Sequence, residues 1–309
     1  KPNIAISSDG KIIAYAAKTG SSTALYKRML NQEQAVLIEG TEGAFSPFFS
    51  PDGRWLGFFA DNKLKKVSVE GGKPQVLTDA VNSFGGTWSE TGTIIFSEQV
   101  GFKLVSVDEN GANRKLITEI RSIFPNVLPD GKHVLVTSLN NPQARYAVDI
   151  VDTQTGERRQ LIFNAGTPQY LSSGHIVFCR ESDLFAVEFD AESIQLGQKE
   201  YQVMDSVRTE KNYASMYAVA GNDGTLVYLK GNYGGLSELT WVGRDGSEEK
   251  LGFKHRNYGT FHLSPNGRKL LVEVWSPNSS IWLMDLGTKL EIEIESSDSD
   301  GFKGFPRWN

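Results

Sequence analysis

The residues able to do chemistry in this sequence are few and scattered. Of 309 residues, four are histidine (His133, His175, His255 and His262) and one is cysteine, Cys179. No His-Glu-x-x-His or His-x-x-x-His spacing occurs, which removes the zinc site in which two imidazoles share one helical face. No Gly-x-Ser-x-Gly elbow presents a nucleophilic serine. Asp298-Ser299-Asp300-Gly301 has the opening of a calcium loop without the later bidentate glutamate, and reads as a solvated loop between sheets. Glu291, Glu293 and Glu295 alternate with Ile292 and Ile294, the pattern of an outer strand with one wet face. Cys179 stands in the apolar run Ile176-Val177-Phe178-Cys179 and reads as a small buried hydrophobe; alone, it can form no internal disulfide.

One set of positions is better ordered. Ala5, Phe48, Thr87, Asn126, Gln169, His262 and Arg307 stand at matching places in a repeat, and five of these seven can hydrogen-bond. A dry packing layer seldom carries so many polar side chains. Two readings stay open: a polar pocket formed by Thr87, Asn126, Gln169, His262 and Arg307 at the mouth of a channel, or polar contacts between sheets with water in the channel. A second candidate surface comes from aromatic residues in a long repeat, Tyr213, Tyr217 and Tyr233, the last within Gly231-Asn232-Tyr233-Gly234-Gly235.

The repeat that must position these residues is anchored on glycine. Gly10, Gly53, Gly92, Gly131, Gly174, Gly224 and Gly267 follow a small or polar residue at spacings of 43, 39, 39, 43, 50 and 43. Before each lies a short apolar strand, and after each a β-branched or aromatic run such as Trp55-Leu56-Gly57-Phe58. Ser50-Pro51-Asp52-Gly53 is hairpin chemistry, with proline fixing φ and Asp-Gly supplying positive φ. Four short antiparallel strands per repeat, with no sustained helical period, predict an all-β fold, a β-propeller of four-stranded antiparallel blades. Residues 32–36 and 197–201 allow a turn of helix at most. Blades are expected at about 1–43, 44–82, 83–121, 122–165, 166–210, 211–256 and 257–301, with a closing strand at 302–309. That is one domain of seven blades; the alternative is eight, the last truncated.

Net charge is −5 and basic clusters are small (Lys65-Lys66, Arg158-Arg159, Arg268-Lys269), which excludes nucleic acid as the main partner. No apolar run approaches the length of a membrane span. The chain opens Lys1-Pro2-Asn3 without an initiator methionine and reads as a piece of something longer.

Ser50-Pro51-Asp52-Gly53-Arg54, Gly72-Lys73-Pro74-Gln75-Val76-Leu77-Thr78 and Phe305-Pro306-Arg307-Trp308 resemble TolB-type propellers, whose blades are WD-repeat-like. The run from Phe45 to Val67, with Gly85–Phe96, Gly174–Phe178 and Tyr258–Arg268, is similar to propeller regions fused to bacterial serine/threonine protein kinases. The resemblance implies a sensor or interaction module in the periplasm or outside the cell, in a parent protein anchored to the membrane; the cytoplasm stays open as an alternative. It implies no kinase activity, since the chain has no Gly-rich phosphate loop, no His-Arg-Asp and no Asp-Phe-Gly. The expected function is therefore non-catalytic, with a protein or peptide partner or a small polar ligand or glycan and no cofactor. The alternative is a propeller hydrolase, lactonase or lyase with a metal such as calcium in its channel. The inner column, which offers Asn126, Gln169 and His262 but no carboxylate, disfavours it.

Overall fold

A glycine stands in the turn between the first two strands of each repeat. A computed structural model of the chain describes residues 3–19, 22–141, 144–210, 215–229, 238–242, 245, 247–275, 279–294 and 308. All seven anchor glycines, Gly10 through Gly267, have positive φ, between 66° and 89°. None of Asp9, Asp52, Asp130 or Asp223 before them does. Asp-Gly thus supplies one left-handed residue rather than two, and the aspartate has another task. At Ser50–Gly53 the Gly53 amide donates to the Ser50 carbonyl at 2.9 Å. The Ser50 hydroxyl donates to Asp52 Oδ1 at 2.6 Å, and that same oxygen accepts the Arg54 amide at 3.0 Å. The carboxylate closes the turn from outside.

Such bonds favour the ionised carboxylate. The Ser7 hydroxyl holds Asp9 below the usual carboxylate value, Ser50 does so for Asp52, and the Thr225 hydroxyl for Asp223. A group with a lowered folded pKa contributes stability that is present above the ordinary value, 3.8 here, and is lost as pH falls through the folded value. Urea midpoints measured from pH 6 down to pH 3 should therefore fall more steeply for the parent chain than for Ser50→Ala; parallel curves would mean that the turn bonds do not couple to folding.

The described residues form six four-stranded antiparallel sheets and three two-stranded ones. In each four-stranded sheet every strand pairs with its neighbour in sequence. Residues 197–201 lie in the strand Gln195–Met204, not in a turn of helix. Two compact units are present, Lys1–Tyr233 and Gly234–Asn309. The division falls inside the sixth repeat.

The first unit holds five four-stranded sheets. Their innermost strands are Ile4–Ile6, Phe45–Phe49, Gly86–Trp88, Ser122–Val127 and Gly166–Leu171. Each neighbours the next, and Ala218–Ala220 of the sixth repeat neighbours both Gly166–Leu171 and Ile4–Ile6. Six innermost strands thus close a circuit within this unit. Between successive sheets lie separate apolar clusters. Phe48, Phe59, Leu64, Trp88, Ile94 and Phe96 join the second sheet to the third, and Leu135, Val148, Ile176 and Phe178 join the fourth to the fifth. A four-stranded sheet has two apolar faces, and packing it between two neighbours buries both. The second unit carries the sheet of the seventh repeat, with Leu270, Val272, Val274 and Met284 buried against Leu239 and Phe253.

Candidate functional site

Three of the innermost strands share an interruption that places proline on the channel wall. Pairing with the second strand shifts between Phe45 and Phe48, between Ile123 and Asn126, and between Gly166 and Gln169. At each bulge Ser46, Phe124 or Thr167 takes a positive φ of 47°, 53° or 49°, and Pro47, Pro125 or Pro168 follows. A bulge leaves one residue unpaired, so an imide without an N–H costs the ladder nothing there. The bulge also bends the strand and sets the direction of the next side chain, the column residue Phe48, Asn126 or Gln169.

Within the first unit the strands surround a cavity of about 510 Å³. Ala5, Phe48, Thr87, Asn126 and Gln169 all line it. The sixth column position, missed in the sequence, is Val219, which also lines the cavity. The column is therefore polar on the third, fourth and fifth sheets and apolar on the other three. Phe48 is 8% exposed, and its ring packs against two glycines. A methyl group on Gly57 would stand 2.3 Å from ring carbon, and one on Gly86 of the next sheet 2.6 Å.

The polar column members reach sideways. Thr87 Oγ1 accepts the Val127 amide at 3.2 Å, and Asn126 Oδ1 accepts the Tyr170 amide at 2.8 Å. Gln169 Oε1 accepts the Ala220 amide at 3.0 Å while its Nε2 donates to the Ala220 carbonyl. Each side chain stitches its strand to the innermost strand of the following sheet. Asn3 Oδ1 likewise bonds forward, accepting the Ser46 amide, while Asn222 Oδ1 bonds back to the preceding repeat, accepting the Ser172 amide. Removing one partner of a buried pair leaves the other unsatisfied, at about 1–3 kcal/mol per group. Gln169→Met, similar in length but unable to bond, is thus expected to lose about 2–4 kcal/mol in urea unfolding. A loss below about 0.5 kcal/mol would show that water replaces the amide freely.

The other sequence candidates lie elsewhere. His262 is exposed on the first strand of the second unit's four-stranded sheet, where its carbonyl accepts Trp308 Nε1 at 3.0 Å. Tyr217 is half-buried and packs under the Arg208 guanidinium, 5.5 Å from the ring centre. Arg307, Tyr213 and Tyr233 lie outside the described residues. Cys179 is buried, and burial pushes its thiol up to about 11. At neutral pH it is neutral and unreactive. Among the described residues, no three His, Cys, Asp or Glu side chains converge as a metal-binding group. Nor, among those residues, is any helix long and apolar enough to cross a membrane.

Radially arranged four-stranded sheets with a cavity between their innermost strands define the class: the chain has a β-propeller fold. Solved structures with similar folds agree. A protein described as TolB from Agrobacterium tumefaciens matches with a TM-score of 0.53 and 19% identity, over 66% of this chain and 80% of that one. An oligogalacturonate lyase from Vibrio parahaemolyticus matches at 0.52 and 16% identity, over 92% and 89%. Virginiamycin B lyase from Staphylococcus aureus matches at 0.51 and 13%, over 87% and 89%. Identities this low carry the fold and nothing of the chemistry. No protein-family model matches the chain, and no curated protein matches it.

Proposed function

We propose that this chain is a non-catalytic recognition module that uses the cavity between its innermost strands, and the loops around it, to hold a small ligand or a segment of a protein partner. The observation that carries this reading is the cavity itself, of ligand size, on a rigid scaffold whose polar column is already committed to stitching sheets. The column therefore shapes the site more than it reacts. The names of the two lyases bear on the alternative, a propeller enzyme. An oligogalacturonate is a polyanion, and among the described residues no lysine, arginine or histidine lines this cavity.

The same reading keeps the seven sequence blades as repeat units. Six have their innermost strands in the circuit of the first unit, and the seventh, 257–301, supplies the four-stranded sheet of the second. It also keeps a location in the periplasm or outside the cell, and a parent protein of the kinase-fused kind, as proposals from sequence resemblance. The test is a thermal-shift survey of small molecules on the parent chain and on Val219→Phe, which narrows the cavity. A ligand whose shift disappears in the variant and that emerges chemically unchanged supports the module. Steady conversion of that ligand into product, followed by NMR, overturns it.

A further inference from the structure

The cavity has a one-sided charge. Among its described lining residues the one charged side chain is Glu90, exposed at the rim. Ser8, Pro51, Pro129 and Asn222 also line it, and each is followed in sequence by a carboxylate: Asp9, Asp52, Asp130 and Asp223. Five of the six turns around this mouth therefore carry an acid. Lys11, Arg54 and His133 pair with Asp9, Asp52 and Asp130, at 3.2, 3.7 and 2.5 Å; like those aspartates and Asp223 they stand just outside the lining, so Glu90 and Asp223 carry most of the uncompensated charge at the rim. The crown of four aspartates stays ionised at neutral pH, each held below the ordinary carboxylate value. The Thr225 hydroxyl and amide bond to Asp223 and hold it below the ordinary value, against a small upward push from the charge of Asp9.

Among the described residues, the walls offer an anion no cationic partner. Pro47, Pro125, Pro168, Phe48, Phe124 and Val219 are apolar. Asn126 and Thr87 each spend a side-chain oxygen sideways, accepting the Tyr170 and Val127 amides of the next sheet. An anion entering this cavity would leave water without meeting a cation, a large desolvation cost. A cation would be drawn in by a field that low-dielectric walls focus at the mouth, and would set its apolar part against proline and aromatic rings.

We propose that the cavity binds an organic monocation with an apolar body, a quaternary or protonated amine bearing an aromatic or alkyl group, and excludes anions of the same shape. This rests on the recognition reading above and names its ligand class.

Three probes sharing one ring test it: benzyltrimethylammonium, benzyl alcohol and benzenesulfonate, titrated by saturation-transfer NMR at low and at physiological ionic strength. The cation should bind about tenfold or more tighter than the anion at low salt, with the gap narrowing as salt screens the crown. Glu90→Lys changes an exposed side chain at the rim; it should cut the preference about threefold or more. Val219→Phe should remove binding of all three probes. If that variant does not fold, Ala5→Leu serves as the filled cavity. Equal affinity for cation and anion, with binding still lost on filling, overturns this inference and leaves the recognition module standing. Binding that ignores both filled variants, or no binding by any probe, overturns the inference and the cavity as the recognition site together.

Discussion

Phe59→Ala is expected to lower the stability of this chain by about 3–5 kcal/mol, the range for truncating a fully buried phenylalanine. Phe59 has no exposed surface and belongs to the seam between the second and third sheets. Its ring lies 5.8 Å from Phe45 and 6.1 Å from Phe48 in its own sheet, and 6.1 Å from Phe96 in the next. Alanine would leave a void that three rings border. Those rings are held by strands that cannot move independently, so the void would collapse only in part. The control is Phe163→Ala. Phe163 stands on an outermost strand, 50% exposed, and its loss should change stability by no more than about 0.5 kcal/mol. Urea or thermal unfolding of both variants decides the matter; a Phe59→Ala effect as small as the control's would mean that the sheets do not pack through this seam. The substitution also reaches the candidate site, because Phe48 touches Phe59 on one side and the cavity on the other. The probe affinities above should shift in Phe59→Ala and hold in Phe163→Ala.

Much of this architecture was legible because its central requirement is local. A turn that needs one left-handed residue needs glycine, so seven glycines at nearly equal spacing mark seven hairpins, and all seven have positive φ in the structure. The aspartates were legible as turn residues but not in their actual task, which depends on where Ser50 and Arg54 place their donors around Asp52. The column was visible as a set of types. What Thr87, Asn126 and Gln169 bond to was not, because that depends on how far the next strand stands, a distance no single repeat records. Val219 escaped because the polar reading gave no reason to seek an apolar member, in a repeat whose two-stranded pieces depart from the common pattern. The bulge prolines could have been found: Pro47, Pro125 and Pro168 each stand one residue before a column member, as does Pro306 before Arg307. Proline inside an apolar strand is a signal for an edge or a bulge, and its recurrence in register pointed to the channel wall. The charge of the cavity was beyond sequence reading. The carboxylates are spread from residue 9 to residue 223, and only closing the circuit gathers them at one mouth.

Gly111→Ala should be far more damaging than Gly71→Ala, and the comparison isolates the reason. Both glycines close the turn between the third and fourth strands of a sheet, and both have positive φ, 87° and 95°. Alanine in that region costs about 1–2 kcal/mol from its own backbone. At Gly71 nothing lies within 4 Å of the new methyl group, so that cost is the whole effect. At Gly111 the methyl carbon would stand 2.4 Å from the Leu77 carbonyl oxygen, with the Leu77 carbonyl carbon and Cα close behind. The obstacle is backbone within Gln75–Asp79, the outermost strand of the preceding sheet, paired to Lys63–Ser68. No rotamer change relieves such a clash; either the turn lifts or the two sheets part. Overpacking of this kind adds about 1–3 kcal/mol. Gly111→Ala should therefore exceed Gly71→Ala by about 2 kcal/mol in urea unfolding. The same geometry recurs one sheet on, where a methyl group on Gly156 would meet the Ile117 carbonyl oxygen at 2.7 Å, so Gly156→Ala should follow Gly111→Ala and not Gly71→Ala. If all three variants lose the same amount, the turns do not press on their neighbours. The outer rim would then contribute nothing to holding the sheets in register, and the seams would rest on the apolar clusters and the side-chain stitches at the channel alone.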